Sequence, residues 1–265
     1  MNELLTFTKG LLACCGIHQA APIPFSDCIL INESLLTRHI SSPRTVIAML
    51  IPYRVSFEEE RNLSRYAISR DYHLFARKLG DVLFHGLREK YPSEEFAFFC
   101  DHSPMDERDA CAKAGLGVIG DNGLLISPRY GSYVFLAELI TSISLSCHTV
   151  PIRSCMHCGA CRAACPSPDG CLSAITQKKG ELTKKEIEIM KGCGSVWGCD
   201  ICQSVCPMNE NTEPSEIDFF LTDRIPLLTS DRLRSMDKDE LKSRAYGWRG
   251  RSVIERNLKL LEPDP

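Results

Sequence analysis

The 265-residue sequence has no excess of basic charge, no apolar run long enough to cross a membrane and no recognisable signal peptide. Its formal net charge is -3, so no overall positive field indicates nucleic acid or anionic membrane, and recognition of either must be local. The longest apolar stretch, residues 131–147, contains Glu138 and is too short for a transmembrane helix. The N-terminus lacks a basic segment followed by a long apolar one and a cleavage site. We therefore expect a soluble, cytoplasmic globular protein.

Cysteine, in contrast, is abundant: nine of the 15 cysteines fall between Cys155 and Cys206. Such clustering in a reducing compartment indicates metal binding, because disulfide bonds would be spread along a chain of this length. The run CMHCGACRAACP at 155–166 has C-x2-C-x2-C-x3-C spacing and a following proline. The run GCDICQSVCP at 198–207 repeats the pattern without its first cysteine, since Val196 stands there. This spacing fits cubane iron–sulfur clusters better than zinc, which uses separated cysteine pairs.

The two runs predict two clusters that exchange one ligand. In two-cluster ferredoxins the first three cysteines of a run bind one cluster and the fourth binds the other. This rule predicts one 4Fe–4S cluster on Cys155, Cys158, Cys161 and Cys206. The second cluster receives Cys165, Cys199 and Cys202 and lacks one thiolate, for which spacing leaves Cys171 and Cys193 open. We expect the other cysteines to be small buried apolar residues: Cys14, Cys15, Cys28, Cys100, Cys111 and Cys147.

The first 150 residues have a different pattern, in which strands and helices alternate. Short apolar runs predict strands at 45–53, 95–101, 124–127 and 133–141. Helical spacing from Tyr72 to Leu87 predicts a long helix within 61–91, and a short helix at 105–115 ends at a glycine. The pattern predicts an α/β domain over residues 1–150, a small ferredoxin-like domain over 151–212 and a short helical segment over 213–265.

Gly115, Gly117 and Gly120 formally match the G-x-G-x-x-G pattern of dinucleotide-binding proteins. That fingerprint requires a strand before the glycines and a helix after them, and here the helix comes first. The pattern therefore disfavours NAD binding. We expect these glycines to end a helix and to let the backbone approach a flat or bulky group.

Three stretches together carry a family resemblance: RYAISRDYH at 65–73, the segment 101–141 that begins DHSPMDER, and the two cysteine runs. Over residues 40–210 the sequence resembles the epoxyqueuosine reductases, which make the last step of queuosine synthesis on tRNA and are similar in core fold to reductive dehalogenases. The resemblance implies an oxidoreductase with two 4Fe–4S clusters, a cobalamin bound between the α/β and cluster domains, and a low-potential donor of flavodoxin or ferredoxin type. It also implies that Cys171, in CLSAIT at 171–176, is the eighth cluster ligand.

The resemblance further implies site residues. Removing an epoxide oxygen as water takes two electrons and two protons, so a general acid is needed. Asp101 matches the family's proton donor and ends a predicted strand, where we expect partial burial; capping of the next helix is its alternative role. For Glu107 and Arg108, an ordinary surface charge pair and a role in the active site fit the sequence equally well. The expected cofactor contacts are Ser103, Arg108, Gly115, Gly117, Tyr130 and Ser132.

The sequence also departs from the family pattern. In DYHLFA, Ala76 replaces the glycine of the D-x-H-x-x-G cobalamin motif, and Asp121 stands where a lysine is expected. We expect the C-terminal helical-repeat domain, which helps hold tRNA, to be lacking. Two interpretations of the C-terminal tail remain open: a basic strip whose aromatic residues stack on bases, or a solvated helical face. The residues concerned are Lys242, Arg244, Tyr246, Trp248, Arg249, Arg251, Arg256 and Lys259. A reductase of a small molecule and a non-catalytic electron carrier are the alternative functions.

Overall fold

The computed structural model describes residues 3–56 and 60–262, which form two compact units. The first unit contains Met1–Tyr53, Phe75–Cys158 and Met208–Ile217, and the second contains Arg54–Leu74, Gly159–Pro207 and Asp218–Pro265. The units differ from the predicted domains that end at residues 150 and 212. The reason is that residues 54–74 and the C-terminal segment pack with the cysteine-rich segment, which a local sequence pattern does not show.

The chain up to residue 141 alternates helices and strands: α1 (Glu3–Cys14), β1 (Gln19–Pro24), α2 (Glu33–Leu36), β2 (Thr45–Pro52), α3 (Tyr72–Lys90), β3 (Phe96–Cys100), α4 (Glu107–Lys113), β4 (Val118–Ile119), β5 (Leu125–Ile126) and β6 (Val134–Thr141). The rest is helical: α5 (Ala160–Ala163), α6 (Leu172–Gln177), α7 (Lys184–Cys193), α8 (Ile201–Ser204), α9 (Asp218–Leu221), α10 (Ser230–Ser235), α11 (Lys238–Lys242) and α12 (Arg251–Leu261). All four predicted strands are confirmed as β2, β3, β5 and β6, whereas β1 and β4 were not predicted.

The main sheet of the first unit has the strand order β1-β2-β6-β3, and every neighbouring pair is antiparallel. Strand β2 is buried along its whole length, which explains its continuous apolar sequence. In the register of the sheet, Glu138 of β6 lies between Ala48 of β2 and Phe99 of β3. An acidic residue therefore occupies the middle of the sheet.

Both faces of this sheet are covered by helices. Side chains alternate between the faces of a strand, and Val46, Phe99 and Ile140 share a core with residues of α2 and α4. On the other face, α3 comes so close that a Cβ built at Gly80 would lie 3.1 Å from the Phe98 ring. The first unit thus has three layers, and α4 covers the face on which Glu138 lies.

The long helix predicted within residues 61–91 is confirmed as α3, which begins at Tyr72, where the predicted helical spacing also starts. The residues before it are held by hydrogen bonds from distant parts of the chain. Ser64 N donates to Trp197 O at 2.8 Å, and Arg65 N donates to the Asp200 carboxylate at 2.7 Å. At the start of α3, Asp71 Oδ1 accepts a hydrogen bond from His73 N at 3.0 Å. Because these backbone groups are already bonded elsewhere, the helix does not extend into this segment.

The second unit is built around Trp197, which is fully buried and donates from Nε1 to the Tyr66 hydroxyl at 2.9 Å. Asn257 of α12 is also fully buried, and its amide donates to Thr176 O at 2.7 Å and to Val196 O at 2.8 Å. These two bonds join the segments that follow Cys171 and precede Cys199. Within the described ranges, no helix has the length and apolar character needed to cross a membrane.

Candidate active site

The loop between β3 and α4 carries Asp101 at its start. Asp101 has a positive φ of 66° and is exposed, so the expected partial burial is wrong. Its backbone N–H donates to Glu107 Oε1 at 2.8 Å. The cap of α4 is Asp106, whose side chain accepts hydrogen bonds from the backbone N–H groups of Arg108 and Asp109. The capping role considered for Asp101 is therefore wrong as well, because that position is already occupied.

A cavity of about 210 Å³ lies beside this loop, within the first unit. It brings together Asp101, Arg108 and Ser132, which the sequence predicted, and adds Glu107; its apolar wall is formed by Leu124, Leu125, Val134, Phe135 and Leu136. Arg108 donates from Nη1 to Gly123 O at 3.1 Å, and its Nη2 lies 3.6 Å from Asp106 Oδ2. The charge pair considered for Glu107 and Arg108 is thus replaced by a pair between Arg108 and Asp106.

Two acids next to this cavity have raised pKa values. Burial, followed by the charge of Asp101, raises the pKa of Glu107 from 4.5 to about 7. Burial, followed by the charge of Glu107, raises the pKa of Glu138 well above its ordinary value. Sequence reasoning missed Glu138 as a site residue. Its signal is a single acidic residue inside the apolar run VFLAELIT, which a buried strand does not tolerate without a reason.

Ser103 and Tyr130 are buried and lie outside the lining of this cavity. Ser103 Oγ accepts a hydrogen bond from Met105 N at 3.3 Å, and burial raises the pKa of Tyr130. Ser132 is fixed by two hydrogen bonds with Asn209: its N–H donates to Oδ1 at 2.8 Å, and its Oγ accepts from Nδ2 at 2.9 Å. Of the three hydroxyl residues, Ser132 is therefore the one positioned at the cavity.

The glycines after α4 have structural roles. Gly115 has a φ of +76°, its N–H donates to Ala112 O, and the next N–H donates to Cys111 O. This pattern is the Schellman motif, which ends a helix. A Cβ at Gly117 would lie 2.6 Å from Ile126 O, so Gly117 allows the backbone to approach β5. The expected helix end is confirmed, and cofactor contact by Gly115 and Gly117 stays a prediction.

The second unit holds all four cysteines predicted for the second cluster: Cys165, Cys171, Cys199 and Cys202. Burial, with a smaller contribution from the charges of the neighbouring Cys202 and Cys171 thiols, raises the pKa of Cys199 to about 11. Cys171 is exposed, whereas Cys193 packs against a small core that contains Leu172. Cys193 also lies close enough to Cys165 to be affected by its charge. Cys199, a predicted ligand, packs against the same core, so these contacts do not distinguish the two cysteines, and Cys171 stays the ligand that the resemblance implies.

Of the other predicted ligands, Cys155 and Cys158 belong to the first unit, and Cys161 and Cys206 belong to the second. The Cys155 thiol, Asp121 and His157 lie within 4.8 Å of one another, and His157 Nδ1 is 2.8 Å from Asp121 Oδ1. Asp121, found where a lysine was expected, is therefore paired with a histidine. Of the six cysteines expected to be buried, Cys111 is buried; the expectation is wrong for Cys14, which is exposed. The other four are half-buried: Cys15, Cys28, Cys100 and Cys147.

The C-terminal basic residues do not form one continuous strip. Arg244 is buried and ion-paired with Asp223, and Arg251 donates to the backbone carbonyls of Leu233 and Met236. Arg256 donates to Lys178 O at 2.7 Å, and Tyr246 is fully buried. Trp248, in contrast, is 60% exposed, with Arg249 Cζ 3.9 Å from the centre of its ring. Trp248 and Arg249 are thus the part of this segment that suits stacking against a base.

No family model matches the chain. The chain is 29% identical over 259 residues to the epoxyqueuosine reductase of Staphylococcus aureus, an alignment that covers 89% of this chain and 67% of that protein. It is 31% identical over 234 residues to the epoxyqueuosine reductase of Gloeobacter violaceus, with 80% and 72% covered. The chain thus spans about two thirds of the length of its first relatives, from 64% to 68%.

Solved structures agree on the fold. The epoxyqueuosine reductase of Streptococcus thermophilus superimposes with a TM-score of 0.81 at 23% identity, over 98% of this chain and 80% of that one. An epoxyqueuosine reductase crystallised with an epoxyqueuosine-modified tRNA-Tyr stem loop gives 0.79 at 24% identity, over 97% and 79%. A catabolic reductive dehalogenase shares the fold more distantly, with a TM-score of 0.51. On the sequence identity and coverage of these relatives, the chain belongs to the epoxyqueuosine reductase family.

Proposed function

We propose that this chain is an oxidoreductase that reduces the epoxide of epoxyqueuosine in tRNA to the alkene of queuosine. The observation that carries the proposal is the cavity of about 210 Å³ that brings Asp101, Arg108 and Ser132 together in a member of this family. A fold neighbour was crystallised with a tRNA stem loop that carries epoxyqueuosine, which supports tRNA as the substrate.

The reaction defines what the cavity must do. Two electrons and two protons are added, both epoxide C–O bonds break, and the oxygen leaves as water. Because an alkoxide is a poor leaving group, a proton must be placed on that oxygen as the bonds break. In our proposal the Asp101 carboxyl donates this proton, while Arg108 and Ser132 orient the reacting group by hydrogen bonds. The apolar wall excludes water from the reacting atoms.

The chemistry of the side chains fits the proposed cofactors. Cys165, Cys171, Cys199 and Cys202 would hold one 4Fe–4S cluster, since four thiolates are its usual donor set. The other 4Fe–4S cluster, on Cys155, Cys158, Cys161 and Cys206, is proposed from the cysteine spacing alone. The cavity is smaller than a typical ligand pocket of about 300–1,000 Å³, so it suits one edge of a cobalamin, with Arg108 and Ser132 as polar contacts. Bound cobalamin would supply low-valent cobalt, a strong reductant, and a flavodoxin or ferredoxin would supply electrons.

Deletion of the gene tests the proposal. We expect tRNA from the deletion strain to retain epoxyqueuosine, and a plasmid copy of the wild-type gene to restore queuosine. Asp101→Asn should lower restoration by about 10²–10⁴-fold, the usual contribution of a general acid, while Glu89→Gln, exposed on α3, serves as control. Normal queuosine in the deletion strain would overturn the proposal. If queuosine is normal in the deletion strain and the purified protein binds cobalamin, a small-molecule substrate is indicated. If queuosine is normal and the protein binds no cobalamin, an electron carrier is indicated.

A further inference from the structure

Glu138 is a buried acid with no role in the reaction described above. It lies in β6, which pairs with β2 on one side and β3 on the other, and its exposed fraction is 0%. Both carboxylate oxygens are buried, and among the described residues neither accepts a hydrogen bond of ordinary geometry. The Ser103 hydroxyl is near enough only to offset part of the rise in its pKa. An ionised carboxylate in such a place is costly, so this group holds a proton.

The sheet register connects this acid to the cavity. Glu138 lies directly opposite Phe99, and β3 ends one residue later, immediately before Asp101. Opposed residues in antiparallel strands place their side chains on the same face, and α4 covers that face. Glu107, the first residue of α4, lines the cavity and accepts the Asp101 N–H at 2.8 Å. The three acids therefore follow one another from the core to the cavity: Glu138, Glu107 and Asp101.

The other charged and titratable groups near this pair do not neutralise it. Asp106 adds negative charge close to both acids, and the thiols of Cys28 and Cys111 also face Glu138. Of the cations near the pair, Lys113 is bound to Asp109 at 2.7 Å, and Arg108, which lines the same cavity as Glu107, is paired with Asp106 at 3.6 Å. Two carboxylates in one poorly solvated region cannot both ionise readily, so the pair retains a proton when an isolated glutamate would lose it.

We propose that Glu107 and Glu138 form a proton-storing pair that delivers the second proton of the reduction. The proposal rests on the proposed function. Asp101 protonates the epoxide oxygen as the first C–O bond breaks. The Glu107 carboxyl then gives its proton to the resulting hydroxyl as the second C–O bond breaks, and water leaves. The two electrons come from the reduced cofactors. Glu138 returns a proton to Glu107, and solvent protons restore the pair after turnover.

The storage of the proton is tested without turnover, by infrared difference spectroscopy of the reconstituted protein across a pH titration. We expect protonated-carboxyl bands that titrate near pH 7 for Glu107 and well above the ordinary range of a glutamate for Glu138, each lost in its own glutamine variant. In Glu107→Gln the Glu138 band should titrate at lower pH than in wild type, because the repulsive charge of Glu107 is gone. Glu89→Gln, exposed on α3, should leave both bands unchanged.

The delivery of the proton is tested by the pH dependence of kcat with epoxyqueuosine tRNA. Above pH 7 the wild-type rate should fall to a plateau instead of falling tenfold per pH unit, because the one proton left on the pair is shared between Glu138 and Glu107 in a ratio that does not depend on pH. Glu138→Gln should match wild type at low pH and lose about tenfold for each pH unit above 7, and Glu107→Gln should lose about 10²-fold throughout. An unchanged profile in Glu138→Gln, with normal iron content, would overturn the proposal.

The two readouts separate this proposal from the proposed function. Titrating bands in a protein that does not reduce epoxyqueuosine would overturn the function and the delivery step, and would leave only the stored proton. Reduction by a protein that lacks both bands would overturn the storage and leave the function intact. If Glu138→Gln does not fold, the pairing is tested by the Glu138 band in Glu107→Gln. A band that does not shift in that variant would contradict the pairing.

Discussion

Replacing Asn257 with alanine should destabilise the surroundings of the predicted second cluster, although Asn257 is in α12 and is not a proposed ligand. Its amide satisfies two carbonyl groups: Thr176 O, in the helix that follows Cys171, and Val196 O, three residues before Cys199. The alanine variant leaves both carbonyls without this donor in a region where Asn257 itself is fully buried. Each orphaned group costs about 1–3 kcal/mol, so the pair costs about 2–6 kcal/mol.

The magnitude sets the expected result. A loss of about 2 kcal/mol changes the equilibrium for local opening by roughly thirtyfold. The rate at which a chelator removes iron from the anaerobically reconstituted protein should therefore rise at least that much in Asn257→Ala, if iron leaves through local opening. Lys259→Ala, exposed on the same helix, should release iron at the wild-type rate. Equal rates in all three proteins would refute the connection between Asn257 and the cluster segments.

Three further predictions concern single positions. The raised pKa of Glu107 means that its contribution to stability is complete below pH 4.5 and is lost as pH rises through about 7. The melting temperature of the wild-type protein should therefore fall over that pH range. An equally steep fall in Glu107→Gln would contradict this. Cys171→Ser should remove about four of about eight irons, whereas Cys193→Ser should keep them; the reverse would reassign the ligand. Trp248→Ala should weaken tRNA binding by about 1–3 kcal/mol and Trp248→Phe by less; equal affinities in filter binding would exclude stacking there.

Local sequence patterns were sufficient for the strands with unbroken apolar sequences, including β3 at the other edge of the sheet. Strand β2 reads as an unbroken apolar run because it is buried along its whole length. Strand β1 has the sequence QAAPIP, whose two prolines disfavour a strand. It forms because it is at an edge of the sheet, where proline is tolerated. Edge position depends on the order of the strands, which the sequence of one segment does not encode.

The site was predictable where a motif carried it and unpredictable where it depended on distant contacts. Cysteine spacing predicts seven of the eight cluster ligands and leaves Cys171 and Cys193 open. The resemblance supplied Asp101, Arg108 and Ser132, which the cavity brings together. The partnership of Glu107 with Glu138 could not be predicted, because it arises from the packing of α4 on β6. The hydrogen bonds that hold the segment before Tyr72 to Trp197 and Asp200 could not be predicted for the same reason, whereas the helical spacing from Tyr72 onward was sufficient for α3.

The most direct test of the central claim is a single-turnover assay with the purified protein. The protein is reconstituted anaerobically with iron, sulfide and cobalamin, reduced, and mixed with tRNA that carries epoxyqueuosine; the nucleosides are then identified by mass spectrometry. We predict conversion to queuosine by wild type, and a loss of about 10²-fold or more in Asp101→Asn at unchanged iron and cobalamin content. Full cofactor loading without any conversion of epoxyqueuosine would contradict the account.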